Sequence, residues 1–174
     1  MSDISAKAAL IKLVIFDVDG VLTDGSLYFG PDAREYKVFH SRDGHGMKML
    51  RQSGVEIGII TARSSEAVAH RMENLGIEHV YQGQQEKLPA YESLKAKLGL
   101  SADEIAYVGD DVIDLPIMTR VGFAVAVADA HEDVVKRAHW QTSIPGGCGA
   151  VREICELIMK AQGSYDDALA VYLS

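Results

Sequence analysis

The chain is short of positive charge, of cysteine and of long apolar runs, and each shortage closes off a class of protein. Lysine and arginine number 17 against 25 aspartates and glutamates, so the net charge is −8 over 174 residues. A nucleic-acid-binding face is not expected from such a balance, and an anionic substrate must be met by a local cluster of cations. Cys148 and Cys155 are the only cysteines. Cys155 falls in an apolar helical pattern, which favours two reduced thiols over a bridge. No apolar stretch reaches the ~20 residues of a membrane span. Only Lys7 precedes a short apolar run near the start, and no small-residue cleavage site follows it, so a signal peptide is not expected. These absences leave a cytoplasmic enzyme as the expectation. No repeat, low-complexity tract or linker divides the sequence, and 1–174 reads as one domain.

What is present is alternation. Short apolar runs at 13–16, 56–60, 77–81, 105–108 and 123–127 read as buried strands. Helical patterns at 46–52, 65–75, 88–98, 112–120, 132–138 and 150–161 lie between or after them. That order predicts an α/β fold, a Rossmann-like parallel sheet flanked by helices. One segment breaks the rhythm. Two β-prone runs, at 26–29 and 36–39, flank Gly30-Pro31-Asp32-Ala33-Arg34, which predicts a β-hairpin over about 26–39, inserted after the first strand. No insertion is long enough for a separate cap domain. The last stretch, about 163–174, is small and acidic and reads as a mobile tail.

The first strand ends in Asp17-Val18-Asp19-Gly20-Val21-Leu22-Thr23-Asp24. Two acids at the exit of a buried strand are costly unless they hold a metal or do chemistry. In an open parallel sheet ligands sit at the carboxyl ends of strands. Thr61, Asp110 and Asp111 fall at such ends, and Lys87 opens the helix after the third strand. Singly, each has a plainer reading: a turn for Asp-x-Asp, a helix cap for Thr61 or Gly109-Asp110-Asp111, a solvated lysine for Lys87. Jointly they match a phosphoryl-transfer site. Asp17 is the expected nucleophile and Asp19 the proton donor and acceptor. Thr61 and Lys87 are expected on the phosphoryl oxygens. Mg²⁺ is the expected metal, on Asp17, Asp110 and the backbone carbonyl of Asp19. Asp111 or Asp114 would orient Lys87 or metal-bound water, with Asp110 and Asp114 four apart on one helix face.

The run Asp-x-Asp-Gly-x-x-Thr-Asp resembles the first motif of the haloacid dehalogenase superfamily. Together with Phe39-His-Ser-Arg-Asp-Gly-His-Gly46, Ile60-Thr61-Ala62-Arg63, Tyr107-Val-Gly-Asp-Asp111 and Gly146-Gly-Cys-Gly-Ala-Val-Arg-Glu153, it is similar to the small capless phosphatases acting on 3-deoxy-D-manno-octulosonate 8-phosphate. The resemblance implies a Mg²⁺-dependent homotetramer whose hairpins form a central barrel. It also implies that a neighbouring subunit covers each active site, and that the enzyme serves lipopolysaccharide biosynthesis. It carries over Asp19, His40, Ser41, Arg42, Asp43, Gly44, Lys48, Arg63, Arg71 and Lys87 as substrate-binding positions. Taken alone, Lys48 and Arg71 read equally well as solvent-facing helix residues. Family members commonly carry Arg or Lys where this chain has Cys148. A phosphatase for a nine-carbon sugar acid phosphate, a phosphomutase and a non-catalytic regulatory module of the same fold are the alternatives.

Overall fold

The computed structural model describes residues 3–32 and 34–173, so Ala33 of the hairpin loop and Ser174 of the tail lie outside it. After a first helix, α1 (Asp3–Ala9), the chain enters β1 (Leu13–Phe16). A hairpin of β2 (Tyr28–Phe29) and β3 (Glu35–Tyr36) follows, paired antiparallel. Then come α2 (Ser41–Gln52), β4 (Glu56–Ile60), α3 (Glu66–Leu75), β5 (His79–Tyr81) and α4 (Leu88–Leu98). The second half holds β6 (Ile105–Gly109), α5 (Leu115–Met118), β7 (Phe123–Ala126), α6 (Glu132–Val135), β8 (Trp140–Gln141), α7 (Ala150–Gln162) and α8 (Tyr165–Ala170).

Six strands form a parallel sheet in the order β5-β4-β1-β6-β7-β8. The chain builds outward from β1 to one side, then returns to build the other. Beyond the carboxyl end of β1 the flanking connections diverge, which opens a crevice there. All four β1 residues are buried because both sheet faces are covered. Their side chains alternate. Val14 and Phe16 join the layer with α2, α3 and α7, while Leu13 and Ile15 join the layer with α4, α5 and α6.

The sequence reading differs from the structure at several borders. Helix α2 begins at Ser41, not 46, so Ser41, Arg42 and Asp43 form its first turn. The expected helix at 112–120 is a 3₁₀ turn, Val112–Asp114, followed by the short α5, with Pro116 in its first turn. The stretch expected as a mobile tail carries α8, and Tyr165 and Ala168 pack against the core. Strand β8 is only two residues long and gave no periodic signal.

Candidate active site

Asp17 follows β1 directly and is 4% exposed. One oxygen accepts the Val18 N–H at 2.7 Å, and the other faces Lys87 Nζ at 2.8 Å. The chain then turns over Val18, whose carbonyl accepts the N–H groups of Val21, Leu22 and Thr23. Gly20 permits this turn at φ +89°, and a Cβ there would stand 2.0 Å from an Asp110 carboxylate oxygen. Gly20 thus lets Asp110, just after β6, press against the turn that carries Asp17 and Asp19.

Lys87 is the N-cap residue of α4, and its side chain is fully withdrawn from solvent. It reaches Asp114 at 2.7 Å as well as Asp17. Burial works against the ammonium, but the Asp114 and Asp17 carboxylates outweigh it and hold its pKa above the ordinary lysine value. Asp114 is fully buried and has no open oxygen. One oxygen takes Lys87 and the Tyr107 hydroxyl, which donates at 2.6 Å. The other accepts the Asp110 and Asp111 N–H groups at 3.0 and 3.3 Å. Asp114 therefore orients Lys87. Asp111 is exposed and caps the 3₁₀ turn through the Val112 N–H at 2.7 Å. Asp110 and Asp114 meet through this turn folding back, not along a helix face. Tyr107 was missed because a strand aromatic reads as core, and the sequence says nothing of its hydroxyl.

One oxygen each from Asp17, Asp110 and Asp114 lie within 4.8 Å of one another. Asp110 Oδ1 is buried and has no hydrogen-bond partner among the described residues. Burial, then the neighbouring acids, push the Asp110 carboxyl up to about 8 and Asp17 up to about 6. Acids held together at this cost, with a buried oxygen left open, fit a hard divalent cation with oxygen ligands. Asp114 is saturated, which leaves Asp17 and Asp110 as its side-chain donors. Thr61 directly follows β4 and is 2% exposed. Its backbone is fixed on both sides: its N–H donates to Tyr81, and its carbonyl accepts from Gln84.

The remaining expected residues divide. Arg63 and Asp19 lie together, with Nε to Oδ2 at 4.0 Å. Ser41, Gly44, Lys48 and Arg71 line a separate cleft of about 440 Å³ with Phe39 and His45, whose lining includes none of Asp17, Asp19, Asp110 and Asp114. Gly44 makes room for Arg71, since a Cβ would meet the guanidinium at 2.2 Å. Arg42 lines a different cleft beside Arg152 and Glu153. His40 is the N-cap residue of α2, and its buried Nδ1 has no partner among the described residues. Asp43 is 1% exposed and one of its oxygens accepts the Arg152 N–H at 2.8 Å, which caps α7, while the other is buried with no partner among the described residues. A cap supplied from another helix leaves no local pattern in the sequence. Cys148 is exposed in the loop before α7.

A parallel sheet with its acids at the switch point, a buried lysine and no cap-sized insertion defines a hydrolase of the haloacid dehalogenase type. The model of the haloacid dehalogenase-like hydrolases matches residues 77–146. The chain is 50% identical over 167 residues to the 3-deoxy-D-manno-octulosonate 8-phosphate phosphatase of Escherichia coli K12, covering 96% of this chain and 89% of the relative. The solved phosphatase of that name from Yersinia pestis superposes with a TM-score of 0.94 at 47% identity, covering 95% and 89% of the two chains. The one from Moraxella catarrhalis, in complex with magnesium, phosphate and KDO, gives 0.96 at 43% identity and covers 99% of both. This chain belongs to the family of 3-deoxy-D-manno-octulosonate 8-phosphate phosphatases.

Proposed function

We propose that the chain hydrolyses the phosphomonoester of 3-deoxy-D-manno-octulosonate 8-phosphate, with Mg²⁺, as a cytoplasmic step of lipopolysaccharide assembly. The observation that carries the chemistry is the buried Asp17 carboxylate at the sheet's switch point, 2.8 Å from Lys87. The substrate follows from the relatives that match nearly the whole chain.

Asp17 attacks phosphorus while the bond from phosphorus to the sugar oxygen breaks, leaving an aspartyl-phosphate. Asp19 gives its proton to the departing sugar oxygen. It then takes a proton from the water that attacks the aspartyl-phosphate, and Asp17 leaves as a free carboxylate. Lys87 and Thr61 donate to the phosphoryl oxygens. Asp17, Asp110 and the backbone carbonyl of Asp19 would hold Mg²⁺, which supplies positive charge between an anionic nucleophile and an anionic substrate. Arg63 meets the sugar acid, and its planar fork suits a carboxylate. Ser41, Lys48 and Arg71 lie in a cleft without catalytic acids, so in this reading they serve a neighbouring subunit's site in a homotetramer. The exposed apolar residues of the hairpin support that assembly.

The test is phosphate release from 3-deoxy-D-manno-octulosonate 8-phosphate beside a nine-carbon acid phosphate and simple sugar phosphates. A preference for the first, lost in Asp17→Asn with the fold retained, is expected. Faster turnover of the nine-carbon acid overturns the substrate, and appreciable activity in Asp17→Asn overturns the nucleophile.

A further inference from the structure

The hairpin returns a charged residue to the nucleophile's neighbour. Lys37 lies one residue past β3, with Tyr36 and Val38 exposed on either side. Strand alternation turns Lys37 the other way, inward, and its side chain is 1% exposed. There its ammonium bonds one Asp19 oxygen and stands 3.3 Å from Glu35. Arg63 completes a ring, donating to the same Glu35 oxygen at 2.9 Å and facing the other Asp19 oxygen at 4.0 Å. Two cations and two carboxylates thus alternate around a closed circuit. It joins the hairpin to the loops that follow β1 and β4.

We propose that Lys37 is a positioning residue for the reaction, aiming the Asp19 carboxylate at the leaving oxygen. The inference rests on Asp19 as the acid and base described above. Asp19 stands on a turn, with 21% of its side chain exposed, and a carboxylate there has rotamers to choose from. Arg63 is 42% exposed and at the limit of ion-pair range, so it restrains Asp19 weakly. Lys37 is buried and in direct contact. Glu35 holds Lys37 in place from the other side, and Arg63 holds Glu35. The hairpin therefore has a task inside its own subunit, separate from any contact it makes with a neighbour. Misaim of a proton donor by about 1 Å costs on the order of 10²-fold in rate.

The consequence is a dependence on the leaving group. An alkoxide needs a proton as it departs, whereas nitrophenolate leaves without one. Lys37→Met should lower single-turnover phosphoryl transfer from a simple sugar phosphate by at least about tenfold, within the range that acid catalysis contributes. Nitrophenolate release from p-nitrophenyl phosphate in the same single-turnover format should fall less than about threefold. Lys37→Arg should recover most of the sugar phosphate rate. In an Asp19→Asn background, Lys37→Met should add no further loss, because the group it aims is gone. Equal losses on both substrates, or a full multiplicative loss in the double variant, overturn the proposal, as does an undiminished sugar phosphate rate. Both substrates are simple phosphates, so a failed preference for the eight-carbon acid would leave this comparison intact.

Discussion

The Asp114 carboxylate holds the Lys87 ammonium at 2.7 Å, with both side chains fully closed to solvent. A buried ion pair gains little over an apolar pair of the same shape, but losing one partner strands the other charge. Asp114 also takes the Tyr107 hydroxyl and two backbone N–H groups. Asp114→Asn should therefore act on both stability and rate. The expected outcome is a loss of about 3 kcal/mol in unfolding free energy and on the order of 10²-fold in kcat. Denaturant titration beside steady-state kinetics checks this. Asp111→Asn, at an exposed cap, should leave kcat within about threefold, since exposed substitutions rarely cost much.

Stability without a divalent cation should depend on pH in a definite direction. Asp17 at about 6 and Asp110 at about 8 both lie above the ordinary value of 3.8. Groups raised on folding stabilise the native state fully below their unfolded pKa. That contribution is lost as pH rises through the folded values. In EDTA the melting temperature should fall by roughly 5 °C or more between pH 4 and pH 8. Mg²⁺ should restore it at pH 8, where the cation pairs with the ionised carboxylates. A flat profile in EDTA, read by scanning calorimetry, would count against acids crowded in this way.

The hairpin exposes Phe29 at 61%, Val38 at 63%, Tyr36 at 56% and Tyr28 at 47%. Light scattering should give a tetramer for the unmodified chain. Phe29→Asp should shift it toward smaller species, because an unpaired charge in an apolar interface is costly. Turnover of the eight-carbon substrate should fall with the mass. A fully active monomer would contradict a site shared between subunits.

The meeting of Asp17, Lys87 and Asp110 was legible in the sequence because strand ends in a parallel sheet converge by rule, whatever the loops do. The choice between Asp111 and Asp114 was not legible. It depends on a 3₁₀ turn that exposes the first and buries the second, and both sit in one acidic run. The inward turn of Lys37 is written in the alternation between exposed Tyr36 and Val38, a pattern that also reads simply as strand. The cap that Asp43 gives α7 was not legible, because capping across helices leaves no spacing to read. Helix borders failed where a proline or a neighbouring loop, rather than periodicity, sets the limit.

The turn that follows Asp17 is stitched to residues far along the chain. Gly147 donates its N–H to the Val21 carbonyl at 2.9 Å, and a Cβ on Gly146 would lie 1.7 Å from the Gly20 carbonyl oxygen. Gly146 is itself pinned by Asp129 at 2.9 Å. A nascent chain emerging from the ribosome holds Asp17 early, but these struts arrive only after more than 120 further residues have been made. Until then the turn lacks its back wall. The first motif gains the backing of its turn only once Gly146 and Gly147 have been made, so a translation product truncated before them would carry that motif intact without the wall behind it.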